Sequence, residues 1–322
     1  MQAITYSHYG APDILQLEEV ARPVLGEDAV LVKVRAAAAN PYDWHFMRGE
    51  PYFMRLFIGL RRPKAKHLGV DFAGEVEAVG ENVTSLRPGD EVFGVANGAF
   101  AEVVRAAETE LARKPSNLTF EQAAAVPLAA LTALQGLRDA GRLQPKEKVL
   151  IIGASGGVGT FAVQIAKALG AHVTGVCSTR NLELVRSLGA DEVIDYTQED
   201  CIGSDQKYDL IFQLAGTRSP AACRRALTPN GRLILSSGDS SGRWIGPLGR
   251  LLQAAVLSPF VSQKLAALDT KRNRGDLRDL RQLIEAGQVT PVIDRIHTLA
   301  EVPEALRYLE QGHARGKVVI KV

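Results

Sequence analysis

Residues 148–170 read KVLIIGASGGVGTFAVQIAKALG: an apolar run, a glycine turn and then a helix-period pattern. Lys148 to Ile152 is short and β-branched, as a buried strand is. Gly153, Gly156, Gly157 and Gly159 let the backbone turn tightly and approach a ligand with no Cβ in the way. Val158, Phe161, Ala162, Ile165, Ala166 and Leu169 then recur at helical spacing, so the turn opens a helix whose amide end faces an anion. A glycine turn alone is most often only a turn. Strand, loop and helix in this order make a cradle for a dinucleotide pyrophosphate.

The rest of the chain sets bounds on that reading. Its 322 residues suit one large or two ordinary domains, with 46% hydrophobic and 23% charged residues as in a soluble globular protein. A net charge of +2 provides no field for nucleic acid. The dense basic clusters, Arg61-Arg62-Pro63-Lys64-Ala65-Lys66 and Lys271-Arg272-Asn273-Arg274, read as solvated faces. The first ten residues, MQAITYSHYG, have no apolar targeting core, and no stretch reaches the length of a membrane span. Cys177, Cys201 and Cys223 are odd in number and lack C-x-x-C spacing, which fits reduced thiols in a cytoplasmic protein.

Two rhythms divide the sequence. Up to about residue 120 it is β-rich, with short runs at 29–34, 74–79, 91–95 and 101–104 and no long helix pattern, as in a small barrel-like domain. Thr119 reads as an N-cap opening the next helical stretch. From 148 onward, candidate strands at 148–152, 172–177, 192–195, 208–214, 231–236 and 264–268 mostly alternate with helical patterns, which predicts a parallel sheet covered on both faces. After 270 come a helix (276–285), a strand near 292–297, a helix (302–311) and a last strand (317–322).

Gly153, Gly156 and Gly159 form G-x-x-G-x-x-G, one residue longer in the first gap than the usual G-x-G-x-x-G. Asn40-Pro41-Tyr42-Asp43-Trp44, the stretch Gly69-Val70-Asp71-Phe72-Ala73-Gly74 with Val76, Gly80 and Arg87-Pro88-Gly89-Asp90, the run Pro127 to Ala133, and Gly316-Lys317-Val318-Val319 accompany it. Together they resemble the zinc-lacking quinone oxidoreductase branch of the medium-chain dehydrogenase/reductase family, over essentially the whole chain. The resemblance implies a GroES-like β-barrel catalytic domain (1–124, resumed at 270–322) and a doubly wound Rossmann domain (125–269).

It also implies a nicotinamide cofactor held by Thr132, Gly153, Ser155, Gly156, Gly157, Val158, Gly159, Ser178, Arg180, Tyr196, Ser237 and Lys317. NAD-preferring folds end their second strand on an acid; here Cys177 stands there, followed by Ser178, Thr179 and Arg180, which favours NADPH over NADH. Zinc-dependent relatives place Cys and His where this chain has Asn40 and Val70, so no metal is expected, and His45 and His67 are isolated. Asn40, Tyr42, Asp43 and Tyr52 fall at the family's substrate-pocket positions. The alternative for Asp43 is a buried acid paired with an arginine, and for the two tyrosines plain wall residues. The activity implied is hydride transfer from NADPH to a quinone or an α,β-unsaturated carbonyl, a small-molecule acceptor. Its rivals are a zinc-free dehydrogenase of another carbonyl and a non-catalytic NADPH-binding regulatory protein. Residues 239–262 have the composition of a lid, a homodimer interface or a surface helix.

Overall fold

The computed structural model describes residues 1–203, 206–216, 218–236 and 261–322, with Gly249 and Gln253 between them. The chain divides into two units: residues 1–131, 271–287 and 291–322, and residues 132–270 with 288–290. The first boundary lies inside a helix, Pro127–Leu134, beyond the expected 124/125 junction. A continuous helical pattern carries no mark of where one core ends and the next begins.

The first unit is built from β1 (Gln2–Thr5), β2 (Gln16–Glu19), β3 (Ala29–Ala39), β4 (Asp71–Val79), β5 (Glu91–Val95), β6 (Val103–Ala107) and β7 (Leu111–Arg113). β3 is its spine. Residues 29–33 pair with β6, residues 36–39 pair with the last strand of the chain, and β4 runs antiparallel along the other edge. Its side chains alternate in and out to Val34, then Ala36–Ala39 are all buried. Those alanines are small enough to be covered on both faces, and the short helix 120–124 packs against β3 and β4. Val30, Val32, Phe72, Phe100, Met47, Leu306, Val318 and Ile320 share one core.

Two short helices, α1 (Pro41–Arg48) and α2 (Arg55–Ile58), lie between β3 and β4. Pro41 at the first helical position and Gly49 at the left-handed C-cap bound α1. Eight residues were too few to raise a periodic signal.

The second unit holds β8 (Lys148–Ile152), α3 (Gly157–Ala168), β9 (His172–Cys177), β10 (Glu192–Asp195), β11 (Tyr208–Gln213), β12 (Leu227–Leu235) and β13 (Lys264–Ala267). All pairs are parallel, in the order β10-β9-β8-β11-β12-β13. Counted from β8 this is 3-2-1-4-5-6, the doubly wound dinucleotide-binding order, with its switch point beside β8. β12 begins four residues before the expected 231, because Thr228-Pro229-Asn230-Gly231 looks like a turn but is an irregular strand. The chain then returns to the first unit with α4 (Arg274–Glu285), β14 (Ile293–Thr298), α5 (Val302–Glu310) and β15 (Lys317–Lys321). No helix among the described residues is long and apolar enough to cross a membrane.

Candidate functional site

In the parallel-sheet unit the glycine loop follows β8 as expected. Gly153 has φ +92°, and a Cβ there would lie 2.8 Å from that of Ala215. At Gly159 a Cβ would lie 2.1 Å from the Gly153 carbonyl oxygen, so this glycine closes the loop on itself. Gly156 differs: its backbone is extended, and a Cβ would meet only the Gly153 oxygen, at 3.5 Å. Nothing in the protein demands a glycine at 156. A glycine here leaves the backbone open to close approach from outside. Gly157, Val158 and Gly159 form the first turn of α3, whose amides have no intrahelical acceptor.

Ser155 and Ser178 are linked by Asn181, a residue outside the glycine motif. Asn181 Nδ2 donates to Ser155 Oγ (3.0 Å) and Ser178 Oγ (3.3 Å), while its buried Oδ1 has no partner. The amide therefore ties the glycine loop to the end of β9. Arg180 is exposed one residue earlier, and Tyr196 is 58% exposed with its N–H on the Cys177 carbonyl. Burial, with Asp195 next in order, pushes the Cys177 thiol up to about 11, so it is neutral near pH 7.

The end of β9 is nevertheless not free of acid. Asp195 stands in register with Cys177 and accepts from Thr179 Oγ1 (2.5 Å), Thr197 Oγ1 (2.7 Å) and Thr197 N–H (2.9 Å). Those bonds, the Thr179 hydroxyl first, hold its carboxyl below the usual range. The carboxylate expected to be missing has a neighbour one strand away, saturated by hydroxyl and amide donors. Thr132 Oγ1 lies 3.1 Å from Thr270 Oγ1. Ser237 and nearly all of 239–262 fall outside the described residues.

In the other unit Asn40, Asp43, Asp71 and Lys317 form one buried polar cluster, each at most 4% exposed. Asn40 leaves β3 and caps α1. Its N–H donates to Asp43 Oδ2 (2.8 Å), and Gly69 N–H donates to Asp43 Oδ1 (3.0 Å). Asn40 Nδ2 donates to the Ala38 carbonyl (3.2 Å) and Asp71 Oδ2 (3.0 Å), and Lys317 Nζ donates to Asn40 Oδ1 (2.6 Å) and Asp71 Oδ2 (3.2 Å). Leu128 N–H takes the remaining Asp71 oxygen at 2.9 Å.

Three of the expected positions have defined partners here. Both amide hydrogens of Asn40 are already spent, so it scaffolds the cluster and has no donor left for a substrate oxygen. Lys317 directs its ammonium to Asp71 and Asn40, as the buried counter-charge of an acid. The two carboxylate oxygens of Asp43 are met by backbone amides, not by an arginine. Burial raises Asp43 from its ordinary 3.8 to about 7, against those two hydrogen bonds. Sequence offered one sign of this cluster: Asp71, a charged residue in the otherwise apolar run 68–74.

Tyr42 and Tyr52 are half-buried. Tyr42 stacks on Phe46 (centroids 4.1 Å apart), and the Arg272 guanidinium lies 5.8 Å from its ring. Burial outweighs Arg272 and raises the Tyr42 phenol, which is therefore a neutral donor. Tyr52 lies against Arg55, 4.6 Å from centroid to guanidinium carbon. His45 is buried, with Nδ1 2.8 Å from the Glu50 carbonyl, and His67 is exposed. Among the described residues no group of three His, Cys, Asp or Glu side chains is arranged to hold a metal.

Residues 26–116 match the family described as alcohol dehydrogenase GroES-like domain, and residues 188–320 match the one described as zinc-binding dehydrogenase. The 2-methylene-furan-3-one reductase of Solanum lycopersicum is 36% identical over 99% of this chain and 79% of its own length. The chain belongs to the medium-chain dehydrogenase/reductase family, in its zinc-lacking, quinone oxidoreductase-like branch. Two solved medium-chain dehydrogenase/reductase structures match over its full length. A quinone oxidoreductase from Coxiella burnetii has TM-score 0.88 at 30% identity, with 99% of its own chain covered. The Escherichia coli quinone oxidoreductase complexed with NADPH has TM-score 0.85 at 26% identity, with 100% of its chain covered. The GroES-like plus Rossmann architecture expected of the family is the one observed.

Proposed function

We propose that this chain is an NADPH-dependent reductase that delivers hydride to a quinone or an α,β-unsaturated carbonyl without zinc. The observation that carries the proposal is Gly156, a glycine where a Cβ would meet nothing closer than 3.5 Å, in a loop of the pyrophosphate type. The residues around it suit a dinucleotide: first-turn amides of α3 for the pyrophosphate, Ser155 and Ser178 for the ribose, and Arg180 for a 2′-phosphate. The bound cofactor would supply the hydride. The Solanum relative named for an enone substrate and the relatives named for quinones support the choice of acceptor.

Zinc independence rests on donor chemistry. Asn40 and Val70 offer neither thiolate nor imidazole, and the Lys317 ammonium already occupies Asn40 Oδ1. An acceptor polarised by its own conjugation needs only hydrogen bonds to its oxygen. Tyr42 and Tyr52 carry phenols able to donate to such an oxygen, whereas both amide hydrogens of Asn40 are engaged, and water or Tyr52 would protonate an enolate. The three buried thiols suit a reducing compartment such as the cytoplasm. The test mixes protein, NADPH and, in separate runs, a simple quinone, a short alkenal and a saturated aldehyde, following nicotinamide absorbance. Turnover of the first two alone is expected. Turnover of the saturated aldehyde alone would point to another carbonyl reductase, and tight binding without turnover would point to a regulatory protein.

A further inference from the structure

The segment between α1 and β4 carries a surface that the proposed reaction does not use. Among the described residues, seven large hydrophobic side chains are exposed, and three of them fall within five positions: Leu56 (70%), Phe57 (72%) and Leu60 (66%). Arg61, Arg62, Lys64 and Lys66 follow at once, all exposed. From residue 51 to 70 there are five Lys or Arg and no Asp or Glu, in a chain whose net charge is only +2.

The segment has a defined conformation. Tyr9 Oη donates to the Gly59 carbonyl (2.6 Å), Lys64 N–H to the Ile58 carbonyl (2.8 Å), and Tyr6 N–H to the Lys66 carbonyl (3.0 Å). Gly59 has φ +123°, and a Cβ there would lie 2.0 Å from the Arg62 carbonyl oxygen, so the turn is folded tightly against itself. The apolar tips and the cations are thus carried on one short, pinned loop. Exposed aliphatic and aromatic groups beside a block of unopposed cations are what an interfacial lipid anchor requires: the apolar groups enter the acyl boundary and the cations meet anionic headgroups. Long Lys and Arg stems can lie along the same boundary while their charges stay in water.

We propose that the loop 56–66 docks this protein peripherally on an anionic lipid surface, with no membrane span. The charge complementarity selects lipid over a second copy of the chain, because copies meeting at this loop would bring eight cations together without an acid from it.

The experiment floats the full chain with phosphatidylcholine vesicles, with and without phosphatidylserine, at low and high salt. Wild type is expected to float only with the anionic vesicles and to be released by salt. Arg61→Gln/Arg62→Gln/Lys64→Gln/Lys66→Gln and Leu56→Ser/Phe57→Ser/Leu60→Ser are each expected to lower the bound fraction about tenfold or more. Their melting temperatures and NADPH affinities should match wild type; if the serine variant unfolds, the glutamine variant alone decides. Failure of wild type to float, or equal flotation by both variants, would overturn the proposal. So would a lipid-free dimer that the serine substitutions dissolve, which would make the patch a self-association surface. Loss of turnover on a water-soluble acceptor without any vesicle binding would make it a substrate lid instead.

Discussion

Lys317 and Asn40 are 277 residues apart, and no local pattern links them, yet they meet in a hydrogen bond of 2.6 Å. Removing the lysine would leave the Asp71 carboxylate buried beside Asn40 without its counter-charge. Lys317→Met should therefore lower stability by about 3–5 kcal/mol, measured by urea unfolding. Asp43 sets a pH dependence of the opposite kind to a salt-bridged acid. Between its ordinary 3.8 and about 7, the folded chain keeps a proton that the unfolded chain has lost. Raising the pH through that window weakens folding, and above about 7 the penalty is complete. In Asp43→Asn the stability difference from wild type should shift in the variant's favour as pH rises across this range. A constant difference would mean that Asp43 is ionised throughout. At the cofactor end, Arg180→Ala should cost about 1.5–3 kcal/mol of NADPH binding and leave NADH nearly unchanged. Titration of both cofactors reads this directly, and equal wild-type affinities would shift the weight to the Asp195 carboxylate.

The elements were legible where periodicity is strong and local. β8, β9 and β10 match their expected bounds residue for residue, the glycine loop and α3 follow β8 as expected, and the return helices after 270 match to within two residues. α1 escaped because eight residues between a proline and a glycine carry too little pattern, and β12 because Pro229 and Gly231 imitate a turn. The site followed the same division. Gly156 is marked by spacing, Ser155 and Ser178 by the family resemblance, and Asp71 as a charge in an apolar run, whereas Asn181, which joins the two serines, and Arg272, which lies by Tyr42, come into view only once separate strands and loops are brought together. The glycine loop gives the sharpest element-level prediction because its glycines serve different ends. Gly156→Val has room in the protein, so it should fold with a normal melting temperature yet lose NADPH binding. Gly159→Val would force a side chain into the Gly153 carbonyl and should disrupt the loop itself, lowering the melting temperature as well. If folded Gly156→Val binds NADPH as wild type does, the loop is not the phosphate cradle.

For the whole molecule, the proposed reading joins a dinucleotide-type unit to a GroES-like unit with Asn40 and Val70 at the expected zinc positions, and so takes an acceptor that needs no Lewis acid. Chelators should therefore leave activity intact, and elemental analysis should find no stoichiometric zinc; activity lost on chelation and restored by zinc would contradict the account. Tyr52→Phe should slow enone reduction about a hundredfold if its phenol holds the developing enolate, and should slow quinone reduction much less. Steady-state rates with both acceptors distinguish the two cases. The measurement that tests hydride delivery most directly uses NADPH dideuterated at the nicotinamide C4 and a simple enone, with the product analysed by mass spectrometry and NMR. The account predicts a saturated ketone carrying one deuterium at its β-carbon; deuterium at the carbinol carbon of an allylic alcohol would contradict it.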